Sequence, residues 1–169
     1  MPGTDENITK ALFATPAGQY GDDYRYHSLR QYQMYVEMAD RVSNRRMLAN
    51  SFFVGMNTAV VGALVFALRA GLITTRALVL APACAAILMC AAWWMMVLSY
   101  RQLNAGKFRV ILAMERGLPL APFSAEWIAL EADRSRRDYL QITRVELLVP
   151  WLFAGIHVAL TIAILVRAF

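Results

Sequence analysis

Three stretches of the chain carry no charged side chain: Met47–Leu68 (22 residues), Ala77–Tyr100 (24) and Leu147–Val166 (20). At a rise of about 1.5 Å per residue, each is long enough to cross a hydrocarbon layer of roughly 30 Å as a helix. A soluble bundle would need a polar stripe along every helix, and "ALVLAPACAAILMCAAWWMMVL" has none. The pattern predicts an all-α integral membrane protein with three transmembrane helices.

Between the apolar runs the periodicity is helical. Tyr32, Tyr35, Ala39, Val42, Arg46, Ala49 and Phe53 recur at steps of three and four, one stripe that enters the first span without a Pro or Gly break. It predicts a single helix from about Tyr24 to Ala70. After the second span, Leu103, Phe108, Ile111, Leu112 and Glu115 share a face, and Gly117 with Pro119 supplies a left-handed stop and a breaker. The two extensions leave spans joined by a short turn, so they are expected to run antiparallel and pack on each other.

The stretch "GLPLAPFSAEW" then reads as a re-entry linker. Its prolines fix extended backbone, Ser124 is placed to cap a short helix "AEWIALEA", and Phe123 with Ile128 is spaced as a hydrophobic staple. "DRSRRDY" is a charged connector, and Thr143 with Glu146 forms a capping box at the third span. The chain so divides into a disordered tail (1–23), an amphipathic stalk helix (24–46), spans at 47–70, 77–100 and 147–166, an intervening segment (101–146) and a short tail (167–169). The linker residues Pro119, Pro122, Phe123 and Trp127 are at once packing elements and candidates for docking a cytoplasmic protein.

Composition and charge orient this plan. The chain is 59% hydrophobic with a net charge of +5. Six Lys/Arg lie in residues 1–46 and eight in 101–146, against two in "RAGLITTR" and one in the C-terminal tail. Positive residues stay in the cytoplasm, which places the N-terminus and the 101–146 segment inside and the C-terminus outside. The acidic, polar start is not that of a cleavable leader, so the first span is expected to serve as the targeting signal. Each basic segment also holds six acids, which argues against a nucleic-acid partner. Contact of Arg41, Arg45, Arg46, Arg101, Lys107 and Arg109 with anionic headgroups is the better reading.

Chemistry is sparse. No phosphate loop, metalloprotease or nucleophile-elbow motif occurs, and no catalytic, cofactor or metal-binding residues are assigned. Cys84 and Cys90, both in the second span, read as small apolar fillers. Trp93, Trp94, Tyr100, Phe52, Phe53 and Trp151 fall near the inner ends of the spans, as an aromatic belt would. His157 lies near mid-membrane, where an ionisable group is either a proton-sensitive element or a neutral imidazole bonded to a neighbouring helix.

The first span is the most informative. Ser51, Gly55, Ala59, Ala63 and Ala67 recur at every fourth position, a face of small side chains that lets two backbones approach. Gly155, Ala159 and Ala163 repeat the pattern in the third span. Asn50 and Asn57 share another face, about 200° around from Gly55 at roughly 100° per residue. Amides cannot face lipid without losing their hydrogen bonds. Two non-lipid faces on one helix predict a homo-oligomer, packed through the small face and presenting Asn57 to a neighbour or a lumen.

With these residues laid out, "QYQMYVEMADRVSNRRMLANSFFVGMNTAVV" (31–61) and "YRQLNAGKFRVILAMERGLPLAPFSAEWIAL" (100–130) resemble the pattern of the RipA-type octameric membrane proteins. That resemblance covers roughly residues 24–160. It implies a bacterial inner-membrane homo-oligomer, of eight subunits, with no established enzymatic activity and no ligand residues to carry over. The SLATT-type modules of bacterial defence systems, a helix before two spans, are similar in plan, but the third span and the proline linker set this chain apart. The expected function is a non-enzymatic membrane scaffold or channel-like assembly. The alternatives are a pore for ions or small solutes, lined by polar residues of the first span and gated by His157, or a docking platform for a cytoplasmic protein.

Overall fold

The structure, a computed structural model, describes residues 2–133 and 142–168, with side chains described for residues 6–130 and 145–167. Most of the connector "DRSRRDY" and the side chain of Thr143 lie outside these. Six helices follow in order: α1 Pro2–Leu12, α2 Ala17–Tyr20, α3 Tyr24–Arg69, α4 Ala77–Glu115, α5 Pro122–Asp133 and α6 Ile142–Ala168. No strand occurs among the described residues. The chain forms two compact units: Met1–Asn44 with Gln102–Tyr139, and Arg45–Arg101 with Leu140–Phe169.

The second unit holds the apolar parts of α3, α4 and α6. Among the described residues, three helices are long and apolar enough to cross a membrane: Tyr24–Arg69, Ala77–Glu115 and Val145–Arg167. Only 11%, 28% and 17% of their most apolar 18-residue windows is buried within the chain. Water would not tolerate so much bare apolar surface, so lipid or further protein must cover it. Near the α3–α4 turn the core is Leu64, Val79 and Ile164, packed by Val60, Leu68, Ile73 and Leu160. Helix α3 ends in a Schellman motif: Gly71 has φ +67°, its N–H donates to the Leu68 carbonyl, and that of Leu72 donates to Ala67. Only glycine takes that left-handed position without strain. Pro82 and Pro150 lie inside α4 and α6, where each removes one backbone donor.

The first unit pairs the early part of α3 with the late part of α4, antiparallel. Tyr32 bonds Glu115, the Lys107 ammonium lies 4.7 Å from the Tyr35 ring centroid, and Asn104 bonds Ser43. Here three expectations are corrected. Residues 2–12 and 17–20 are helical rather than an unstructured tail. This N-terminal segment gains partners far along the chain: Ile8 of α1 sits beside Leu112 and Ala113, and the ring of Phe13, just past α1, lies where a Cβ added at Gly117 would touch it. Gly117 is not left-handed, since among the described residues only Gly21 and Gly71 have positive φ. Helix α4 ends instead in tight turns, with Gly117 and Leu118 donating to the carbonyls of Met114 and Glu115. Finally, α5 starts at Pro122, so Ser124 lies inside the helix and is no N-cap. The staple is absent too, because Ile128 is exposed.

Candidate functional site

The second unit encloses a polar knot. Asn57 is fully buried. Its Nδ2 donates to the Phe53 carbonyl one turn back, at 2.8 Å, and its Oδ1 accepts from Cys90 Sγ (3.2 Å) and from His157 Nε2 (2.9 Å). An amide oxygen only accepts, so the imidazole proton sits on Nε2. Nδ1 of His157 is buried with no hydrogen-bond partner among the described residues. Thr161 Oγ1 donates to the His157 carbonyl at 2.7 Å. One side chain on α3 is thereby tied to α4 and to α6.

A second tie lies about two turns nearer the start of α3. Asn50 Oδ1 accepts from Trp93 Nε1 at 2.8 Å. The Trp93 ring stacks on Phe53, with centroids 5.6 Å apart and planes 5° from parallel, and tilts against Phe153. Trp93 is therefore a buried wedge and not a member of an outward-facing belt. Trp94 and Trp151, which form an edge-to-face pair, flank an apolar groove of about 430 Å³ between α4 and α6 that also contacts Cys90 and Pro150. Arg46 and Glu146 approach to 3.6 Å in the same unit.

Asn50, Asn57 and His157 are read from the sequence as lumen-lining or interhelical polar groups; here Asn57 is buried within the chain and its interhelical bonds run to Cys90 and His157, as that of Asn50 runs to Trp93. The other face of α3 behaves differently. Ser51, Gly55, Ala59 and Ala63 are exposed and Ala67 is half-buried. A Cβ added at Gly55 would meet nothing within 4 Å. On α6, Gly155, Ala159 and Ala163 are likewise exposed. Apart from half-buried Ala67, both small-residue ladders are left open by their own chain.

In the first unit the organising residue is Glu115, buried at the end of α4. Its Oε1 accepts from Tyr32 OH (3.0 Å) and the Phe123 amide (2.9 Å), and its Oε2 from the Ser124 amide (2.9 Å) and hydroxyl (2.8 Å). Pro122 has no N–H to satisfy, and Ala125 donates to Ala121. The start of α5 is therefore closed by a carboxylate from another helix, where the helix dipole also favours negative charge. Burial alone would raise the Glu115 pKa; the four hydrogen bonds outweigh it and hold the carboxyl below its ordinary range. Tyr32 is pushed up to about 12, by burial first and then by its bond to the Glu115 carboxylate and that group's charge.

Of the linker residues, Phe123 packs edge-on against Phe108, whereas Pro119, Pro122 and Trp127 are exposed. Sequence reasoning placed Glu115 in an apolar stripe and missed its role; a lone carboxylate on a core-facing stripe was the available signal. It also missed Cys90 as a donor. No group of His, Cys, Asp or Glu suited to a metal ion occurs among the described residues.

No curated protein and no solved structure matches the chain significantly. A family model does, over residues 29–166. That range takes in α4, α5, nearly all of α3 and α6, and with them both polar ties, the Glu115 hub and the two small-residue ladders. On this match the protein belongs to the octameric membrane protein family (8xMP).

Proposed function

We propose that the chain is a non-enzymatic scaffold subunit that assembles with copies of itself in a bacterial inner membrane. In this reading the N-terminus and the first unit lie in the cytoplasm, and the C-terminus in the periplasm. The observation that carries it is the division of labour on α3. The face bearing Asn50 and Asn57 is satisfied within the chain, while the Ser51–Ala63 ladder lies bare. Lipid supplies no hydrophobic drive between helices, and close backbone approach along a small face is what it leaves available. The ladder of α6 is the second such face. A closed ring of identical subunits needs two different faces on each copy, and the family's octameric name agrees with a ring of this kind.

The orientation rests on the unequal distribution of Lys and Arg between the segments flanking the spans. Arg45, Arg101 and Arg109 are exposed and are the side chains offered to anionic headgroups, whereas Arg46 approaches Glu146 and Lys107 faces Tyr35. The scaffold reading is preferred to a pore because the two amides of the first span, Asn50 and Asn57, are consumed by internal bonds.

The test is the particle mass in mild detergent. Wild type is expected to run as a multiple of 19.0 kDa, and Gly55→Leu with Ala59→Leu to shift it toward the single chain. An unchanged mass for the double variant removes the α3 ladder from the interface, and a single-chain mass for wild type removes the reading altogether.

A further inference from the structure

The first unit, which the reading above places in the cytoplasm, carries two unlike surfaces on α3. On one side Tyr32, Val36, Ile111, Phe108 and Phe123 line an open, mostly apolar groove of about 360 Å³, rimmed by Glu37 and Asp40. On the opposite side Met34 and Met38 are 56% and 44% exposed, with Arg30 and Arg41, both exposed, on the same stripe. At about 100° per residue, Met38 and Asp40 lie on nearly opposite sides of one helix. One face is concave and apolar, the other convex and apolar, and along one edge between them Arg30 and Arg41 lie nearer the ridge and Glu37 and Asp40 nearer the groove. Methionine is the side chain best able to fill an irregular apolar groove.

We infer that the Met34–Met38 ridge of one subunit docks in the Tyr32–Phe123 groove of the next, so that the extramembrane parts of α3 form a head-to-tail ring contact. This inference rests on the self-assembly proposed above and names a surface for it outside the membrane. Charge fixes the choice of occupant: Arg30 and Arg41 beside the ridge face Glu37 and Asp40 on the groove rim, a pairing a second copy supplies by itself. The in-chain Arg41–Glu37 pair (2.7 Å) is exposed on both sides and is weak enough in water to exchange partners. Register follows from symmetry. Subunits in a ring about the membrane normal hold each residue at one height, and Met34–Met38 occupies the same stretch of α3 as Val36–Asp40.

Cysteine crosslinking in native membranes tests it, with Cys84→Ala as background. Met38→Cys and Asp40→Cys are introduced together and separately. Residues two apart on a helix do not face each other, so any disulfide joins two chains. The double variant is expected to give a covalent ladder beyond the dimer on a denaturing gel, because each copy links on both sides. Each single variant should stay monomeric, and the two singles co-expressed should stop at the dimer. Asp40→Arg should weaken the detergent-stable assembly, and Arg30→Glu added to it should restore part of the loss. An assembly of unchanged mass with no ladder overturns the docking while sparing the proposed oligomer. Dimers from a single variant would mean a two-fold contact and overturn it equally. A single-chain particle overturns both.

Discussion

Two buried acceptors, the Asn57 amide and the Glu115 carboxylate, organise this protein residue by residue. Asn57 receives hydrogen bonds from two other helices, and removing it strands donors that have no water to turn to. Asn57→Leu is expected to destabilise the detergent-solubilised protein by about 1–3 kcal/mol, because the His157 Nε2–H and the Cys90 thiol lose their acceptor. Asn57→Leu with His157→Leu should recover much of that, since replacing both partners by apolar groups leaves less unpaired. Thermal unfolding of the three proteins checks the order. The need of Asn57 and His157 for partners was legible in the sequence, because an amide and an imidazole in an uncharged run must be satisfied. That they satisfy each other was not, because it depends on the register of α3 against α6, which no local pattern encodes. Cys90 was read as filler because a thiol in a membrane helix usually is one.

Among the elements, α3, α4 and α6 were legible from periodicity and charge gaps, since lipid leaves a helix few alternatives. The ends and the small helices were not. Ile8 of α1 and Phe13 just past it lie against residues some hundred positions away, and α5 is closed by a carboxylate from α4 rather than by its own Ser124. Both arrangements are tertiary. Glu115→Ala is expected to loosen α5 first, seen as faster amide exchange at Phe123 and Ser124, and Tyr32→Phe should have the smaller effect. Acid should act like Glu115→Ala. The folded carboxyl is held below its ordinary range, so its contribution is present above the unfolded value of about 4.3 and is lost as pH falls through the depressed one. Exchange at these two amides, followed from neutral pH downward and corrected for intrinsic rates, should rise only in that acid window.

For the whole molecule, the separation of satisfied and bare faces makes a statement about permeation. With both amides of the α3 span bonded inside the chain, proteoliposomes of wild type are expected to retain their salt and small solutes, and those of Asn57→Leu to do the same. A leak from wild type that Asn57→Leu abolishes would restore the channel reading. The sequence could indicate that α3 has two faces unsuited to lipid. Which of them the chain itself would cover required the packed helices.

The two thiols of the chain sit in contrasting places on α4: Cys84 is exposed and Cys90 is buried. A membrane-permeant maleimide should therefore modify one thiol in the intact protein and two after denaturation. The second reaction would time the parting of the three spans, a built-in clock for their separation that needs no engineered label.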